Sequence, residues 1–257
     1  MRTSILILAA ALLPACAGTY QAGDSSPAAA AVPASGEAVL TRMHDEYQGK
    51  WYRTLTFVQA VIRPGRPEES WYEAAAIPGK LRIDIAPIDS GRAFLYVDDS
   101  LFVFNGGKRV QAAKDRNPLM TLGFDVYAQD PAVSATHLRE RGIDLSKMYE
   151  STWQGRPVWV VGAARGDTTS NQFWVGRDRL LFVRLIEQRP GQAGPVRMDI
   201  EFNRYERLGG GWIAPEVVFR RNGVEFMREI YRDMRADPQL DPALFSTTEY
   251  RPPSWVR

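Results

Sequence analysis

The chain has 257 residues, 45% of them hydrophobic and 24% charged, with a formal net charge of +2 and a pI near 8.7. Those proportions are ordinary for a globular protein. They exclude a nucleic-acid surface, because the 27 arginines and 5 lysines are interleaved with acids, as in Arg228-Glu229 and Arg232-Asp233, and form no stripe.

At the N-terminus, Arg2 precedes the apolar run Ser4 to Leu13, which is too short to span a bilayer and ends at Pro14-Ala15-Cys16-Ala17. This reads as a secretory signal over residues 1–17. Ala15 and Ala17 suit an ordinary signal peptidase, whereas Leu13-Pro14-Ala15-Cys16 resembles a bacterial lipobox in which Cys16 is lipidated and becomes the first mature residue. Cys16 is the only cysteine, so it can close no internal disulfide, and without a CxxC pair or a His/Cys cluster it builds no zinc site. Residues 18–35, "GTYQAGDSSPAAAAVPAS", have almost nothing to bury and read as a flexible tether. Residues 36–257 remain for one domain with a substantial core.

That domain opens with a helix over Glu37 to Gln48, where Val39, Met43 and Tyr47 share a face, Ser35 caps the start and Gly49 ends it. From Trp51 onward the period is two. "KLRIDI" sets Leu81, Ile83 and Ile85 against Arg82 and Asp84, and "VRMDIEFN" sets Val196, Met198, Ile200 and Phe202 against Arg197, Asp199, Glu201 and Asn203. Each strand is expected to have one dry face and one wet one. Asn105-Gly106-Gly107, Gly155-Arg156-Pro157, Gly176-Arg177-Asp178, Gly209-Gly210-Gly211 and Asn222-Gly223 supply turns between them, making neighbours antiparallel. Roughly ten strands follow from this pattern, too many for a flat sheet. Proline behind a capping Asn or Asp starts short helices at Asn117-Pro118, Asp130-Pro131 and Asp241-Pro242. The expected fold class is mainly β (α+β), a single curved antiparallel sheet forming an incomplete β-barrel with helices on the concave side.

No catalytic signature is present: the sequence lacks GxSxG, HExxH and GxGxxG, and the "LGGGW" glycines read as a hairpin. His44 and His137 sit on helices without a neighbouring ligand set. Asp98-Asp99 has the look of a hydrolase carboxylate pair, yet stands where a hairpin bend favours Asp. Large apolar side chains are abundant for such a fold, and a curled sheet that stays open leaves a greasy cavity.

The order of segments resembles the outer-membrane lipoprotein carriers and sorting proteins, the Lol family. The resemblance is carried by the helix followed by "GKWYRTLTFVQAV", "WYEAAAIPGKLRIDI", "FLYVDDSLFVFNGG", "RNPLMTL", "NQFWVGRDRLLFVRLIEQ" and "ALFSTTEYRPPSW", across most of residues 36–257. It implies a helix-lidded hydrophobic cavity for the acyl chains of lipids or lipidated proteins, no cofactor and no catalysis. Leu81 and Ile83 fall where the carrier has cavity-lining aromatics after a proline, here Pro78. Ile77 stands where the carrier has an arginine that bonds the lid shut, so a latch of that kind does not carry over. The segment Gly211 to Asp237 looks like an added hairpin.

On this reading the cavity residues are Phe57, Leu81, Ile83, Ile85, Phe173, Met198 and Ile200, and "NPLMTLGFDVY" is a flap through Leu119, Met120, Leu122 and Phe124. The protein is expected to be exported to the bacterial envelope, in the periplasm and anchored to the outer membrane through Cys16, and to be a monomer with no nucleic-acid or metal partner. Two other uses attach to the same fold by resemblance: an envelope lipid sensor that signals to a partner, and a cofactorless enzyme.

Overall fold

In a computed structural model that describes residues 32–192 and 194–256, the capped helices form where proline and the capping side chains place them. Helix α1 (Gly36–Tyr47) starts on the Ser35 hydroxyl, α2 (Pro118–Gly123) on Asn117 and α3 (Pro131–Glu140) on Asp130; the last two caps accept from Leu119 N at 2.9 Å and Ala132 N at 2.8 Å. Cys16 and most of the tether lie outside the described residues.

The strands are β1 (Thr54–Ile62), β2 (Glu69–Ala76), β3 (Lys80–Ile85), β4 (Ala93–Val97), β5 (Ser100–Asn105) and β6 (Lys108–Lys114) before the short helices. After them come β7 (Asp144–Trp153), β8 (Arg156–Gly162), β9 (Gln172–Gly176), β10 (Leu181–Arg189), β11 (Val196–Asn203), β12 (Glu206–Leu208), β13 (Gly211–Ile213), β14 (Glu216–Arg221) and β15 (Val224–Ala236). Tight turns with two successive residues at positive φ join β4 to β5 at Asp98-Asp99, β5 to β6 at Gly106-Gly107, β7 to β8 at Gln154-Gly155 and β14 to β15 at Asn222-Gly223. Such turns match the right-handed twist of the strands they connect.

Among the described residues, thirteen strands make one antiparallel sheet in the order β6-β5-β4-β3-β2-β1-β15-β14-β11-β10-β9-β8-β7, and β12 pairs only with β13. More strands form than the periodicity indicates, because short ones such as β4 and β9, five residues each, merge with their neighbours when read as a pattern. The sheet curves without closing: its edges, β6 and β7, do not pair. Every residue of β6 is exposed, and Lys108, Arg109 and Lys114 guard that edge against pairing with another chain.

The segment that reads as an added hairpin is the middle of the sheet. β15 pairs with β1 and β14 with β11, so this hairpin joins the N-terminal and C-terminal halves. α1 packs on α3 and β7, and with the segment from α2 through Tyr127 it covers the core face that contains Leu55, Phe57, Phe173, Phe182 and Ile200.

The opposite face is not uniformly wet. Arg82 and Asp84, expected in solvent, are 3% and 1% exposed. The C-terminal segment folds back across them, and Leu244 and Phe245 complete a second apolar cluster with Ala74, Leu95 and Phe104. Asp199 and Glu201 on β11 are likewise buried rather than wet; Asp199 is held by Arg184 at 2.6 Å and Arg197 at 3.2 Å, and Arg184 stacks on Trp153 and Trp174.

Candidate functional site

Between the concave face and α2 lies a cavity of about 270 Å³. Strand register builds its floor. Phe57 on β1 stands beside Glu73 on β2, Glu73 beside Ile83 on β3, and Ile83 beside Phe94 on β4; the adjoining row runs through Tyr231, Gln59 and Trp71. Leu119 and Met120 of α2 and Phe124 after it form the roof. A second hollow of about 470 Å³ shares Tyr96, Asn117, Leu119 and Phe219 with it and continues along Met198, Ile200, Phe226 and Met227.

The expected cavity residues therefore separate. Phe57, Leu81 and Ile83 line the cavity, and Met198 and Ile200 line its neighbour. Ile85 is half-buried at the end of β3, opposite Trp71, and lines neither hollow. Phe173 is 0% exposed, sealed in the core on β9. Of the flap residues, Leu119, Met120 and Phe124 face the cavity, but Leu122 is 0% exposed and belongs to the core.

The segment expected to be a flap is fastened at its C-terminal end. Tyr127 stacks on Trp51 with ring centroids 3.9 Å apart, and its hydroxyl accepts a hydrogen bond from Phe182 N at 2.9 Å. Just before it, the buried Asp125 carboxylate accepts from Gly79 N at 3.1 Å, tying the flap to the β2–β3 turn. That tie lies two residues beyond Ile77, where the resemblance would put a latching arginine. Burial pushes the Asp125 carboxyl up to about 7, against the opposing effect of the Gly79 hydrogen bond.

Two acids missed in the sequence reading stand within the cavity lining. Glu73 and Glu229 are 5% and 6% exposed. Among the described residues Glu73 has no hydrogen-bond or salt-bridge partner; burial, and then the neighbouring Glu229, push its carboxyl well above the usual range. The Glu229 carboxyl is pushed up to about 8 by burial, although Tyr231 donates to it at 3.1 Å and Arg63 and Gln59 act in the opposite direction. Arg63 is engaged by Glu69 at 2.8 Å. The signal for both acids was available: Glu73 has the parity of Trp71 and Ala75, and Glu229 that of Met227 and Tyr231, so each sits at an inward register.

Other hollows carry less chemistry. One of about 530 Å³ is lined by strand ends and turns, where Arg156 and Arg179 flank Asp178 and Gln154 donates to Asn203, while the buried Trp153 Nε1 has no hydrogen-bond partner among the described residues. Asp99 and His137 meet at a hollow of about 40 Å³. It has room for a few waters and none for a substrate. Asp98-Asp99 is the β4–β5 turn, with Asp99 bound to Arg116 at 2.6 Å. No group of three or more His, Cys, Asp or Glu among the described residues could hold a metal ion, and no described helix is long and apolar enough to cross a membrane.

No family model and no curated protein sequence matches the chain. Solved structures do. A DUF1329 family protein from Desulfovibrio piger superposes with a TM-score of 0.52 at 17% identity, covering 82% of this chain and 95% of its own. A putative outer membrane lipoprotein-sorting protein domain from Vibrio parahaemolyticus gives 0.53 at 11% identity, covering 82% and 96%. The fold is Lol-like. A LolA superfamily protein from Nitrosomonas europaea is more distant, with a TM-score of 0.47 at 14% identity, covering 84% of this chain and 98% of its own. At these identities the likeness establishes the architecture, and the chemistry rests on the residues of this chain.

Proposed function

We propose that this protein holds the alkyl part of a lipid or lipidated protein in the cell envelope, as a carrier or acceptor and without catalysis. The observation that carries this reading is the cavity of about 270 Å³ walled by Phe57, Leu81, Ile83 and Phe94 and roofed by Leu119, Met120 and Phe124. Burying about ten methylenes there returns about 8 kcal/mol, which corresponds to a Kd on the order of 1 μM. Support comes from the Lol-like architecture and from the likeness to the Vibrio lipoprotein-sorting domain. The secretory signal and a lipidated Cys16 would place the domain on a tether at the outer membrane.

Filling the cavity tests the proposal. Ile83 is 7% exposed and abuts the hollow, so Ile83→Trp inserts an indole where the ligand would lie. Binding of the uncharged fluorescent probe N-phenyl-1-naphthylamine should weaken at least about tenfold. Leu119→Trp does the same from the roof, and agreement of the two variants separates blockage from misfolding. Unchanged affinity in both folded variants would overturn the reading.

A further inference from the structure

The cavity is greasy on most sides but carries two carboxyls, neither of which has a salt bridge among the described residues; Arg63 acts on Glu229 without bonding to it. Glu73 lies in a row with Phe57 on one side and Ile83 on the other, and it is 5% exposed without a hydrogen-bond partner among the described residues. An unpaired buried acid is costly, and a cavity that served alkyl chains alone would do better with valine or leucine there. Across β1 stand Glu229 and Tyr231 on β15, with Gln59 between the two acids.

Aromatic rings complete the surroundings. Phe57 and Tyr231 lie with centroids 4.4 Å apart, and Trp71 and Phe94 at 6.4 Å. Rings with negative faces beside two carboxyls favour a positive charge with N–H donors. Arg63 stacks on Trp71 at 5.5 Å but is committed to Glu69, so the chain's own cation does not fill the place.

Resting on the lipid-binding reading, we propose that the cavity selects an amphiphile with a protonated amine head, seated between Glu73 and Glu229 against Phe57, Trp71 and Tyr231, with its alkyl tail under α2. The ammonium supplies the donors that Glu73 lacks and the charge that neutralises the pair. The tail occupies the side formed by Leu81, Ile83, Leu119, Met120 and Phe124.

Binding is then linked to protonation. Burial raises both carboxyls above their ordinary range and a cation stabilises their ionised forms, so protons leave as the amine enters. The titratable groups of the cavity are Glu73, Glu229, Tyr231 and Tyr96, with Arg63 acting on Glu229, Asp115 and Arg189 acting on Tyr96, and Tyr205 acting on Tyr231. Burial pushes Tyr96 up to about 12 and raises Tyr231 well above its ordinary value, so neither ionises across the working range. Affinity for the amine should rise as pH is raised from 6 to 8.5, by about tenfold per pH unit for each proton released, while an alkylamine with a lysine-like pKa of about 10.4 stays charged.

The experiment is displacement of N-phenyl-1-naphthylamine from the full chain by dodecylammonium, dodecanol and dodecanoate. At pH 8 dodecylammonium should bind at least about tenfold more tightly than dodecanol, a preference that should vanish in Glu73→Gln/Glu229→Gln while dodecanol binding persists. Equal affinities for amine and alcohol in the parent would overturn the amine head and leave lipid binding standing. Persistence of the preference in the double variant would also overturn it. Failure of all three ligands to displace the probe would refute the lipid-binding reading, and the amine proposal with it.

Discussion

Arg82→Ala is expected to lower folding stability by about 3–5 kcal/mol, the cost of leaving a buried partner charge uncompensated. Arg82 donates to Asp84 through Nε at 2.7 Å and through an outer nitrogen at 2.8 Å. Its guanidinium also reaches the Leu244 carbonyl at 2.8 Å and the Arg251 carbonyl at 2.5 Å, while Tyr250 donates to Asp84 at 3.2 Å. One side chain thus fastens the C-terminal segment over β3. Its loss orphans Asp84 and releases the cover of the second apolar cluster together. For a domain of this size, the melting temperature should fall by about 10 °C. A loss below about 1 kcal/mol, the range of exposed ion pairs, would contradict this placement.

The second large effect has the opposite sign: Glu229→Gln should stabilise the protein at alkaline pH. The Glu229 carboxyl moves from 4.5 to about 8 on folding, so the native state holds a proton that the unfolded chain releases. Its favourable contribution is present below pH 4.5 and is lost as pH rises toward about 8. Near pH 8 the gain from a side chain with no proton to lose should be on the order of 4 kcal/mol, less whatever the glutamine's own hydrogen bonding costs. Glu73→Gln should act in the same direction, since its carboxyl is raised by the same burial. The whole protein's pH profile also contains acids shifted down, such as Asp99 beside Arg116 and Glu187 beside Arg141. The variant-minus-parent difference removes them. Chemical denaturation at pH 5 and pH 8 gives that difference; a variant no more stable at pH 8 relative to the parent than at pH 5 would contradict the burial of this acid.

What could be read from sequence was what depends on neighbours along the chain. Period two placed Leu81 and Ile83 inside, and Asn117-Pro118 started the helix that roofs the cavity. The failures share one physical cause, contact between distant segments. Arg82 and Asp84 read as wet because alternation assumes one open face, and the residues that cover them lie some 160 positions later. Phe173 obeys the strand pattern but lies in the core that α1 and α3 help to cover. The central place of the β14–β15 hairpin depends on β1 pairing with β15, which no local turn announces. Glu73 and Glu229 are a different failure. Their parity was legible, but an acidic residue type argues against a place in a cavity wall.

On the proposed function an alkyl chain lies between the concave sheet and α2. A dodecanol analogue carrying a diazirine on its chain, photolysed on the full-length protein and mapped by peptide mass spectrometry, tests it most directly. Labels on Phe57, Leu81, Ile83, Leu119, Met120 or Phe124, lost when unlabelled dodecanol competes, are the predicted result. Competable labelling confined to the hollow around Trp153 and Tyr205, or to the exposed strand β6, would contradict it.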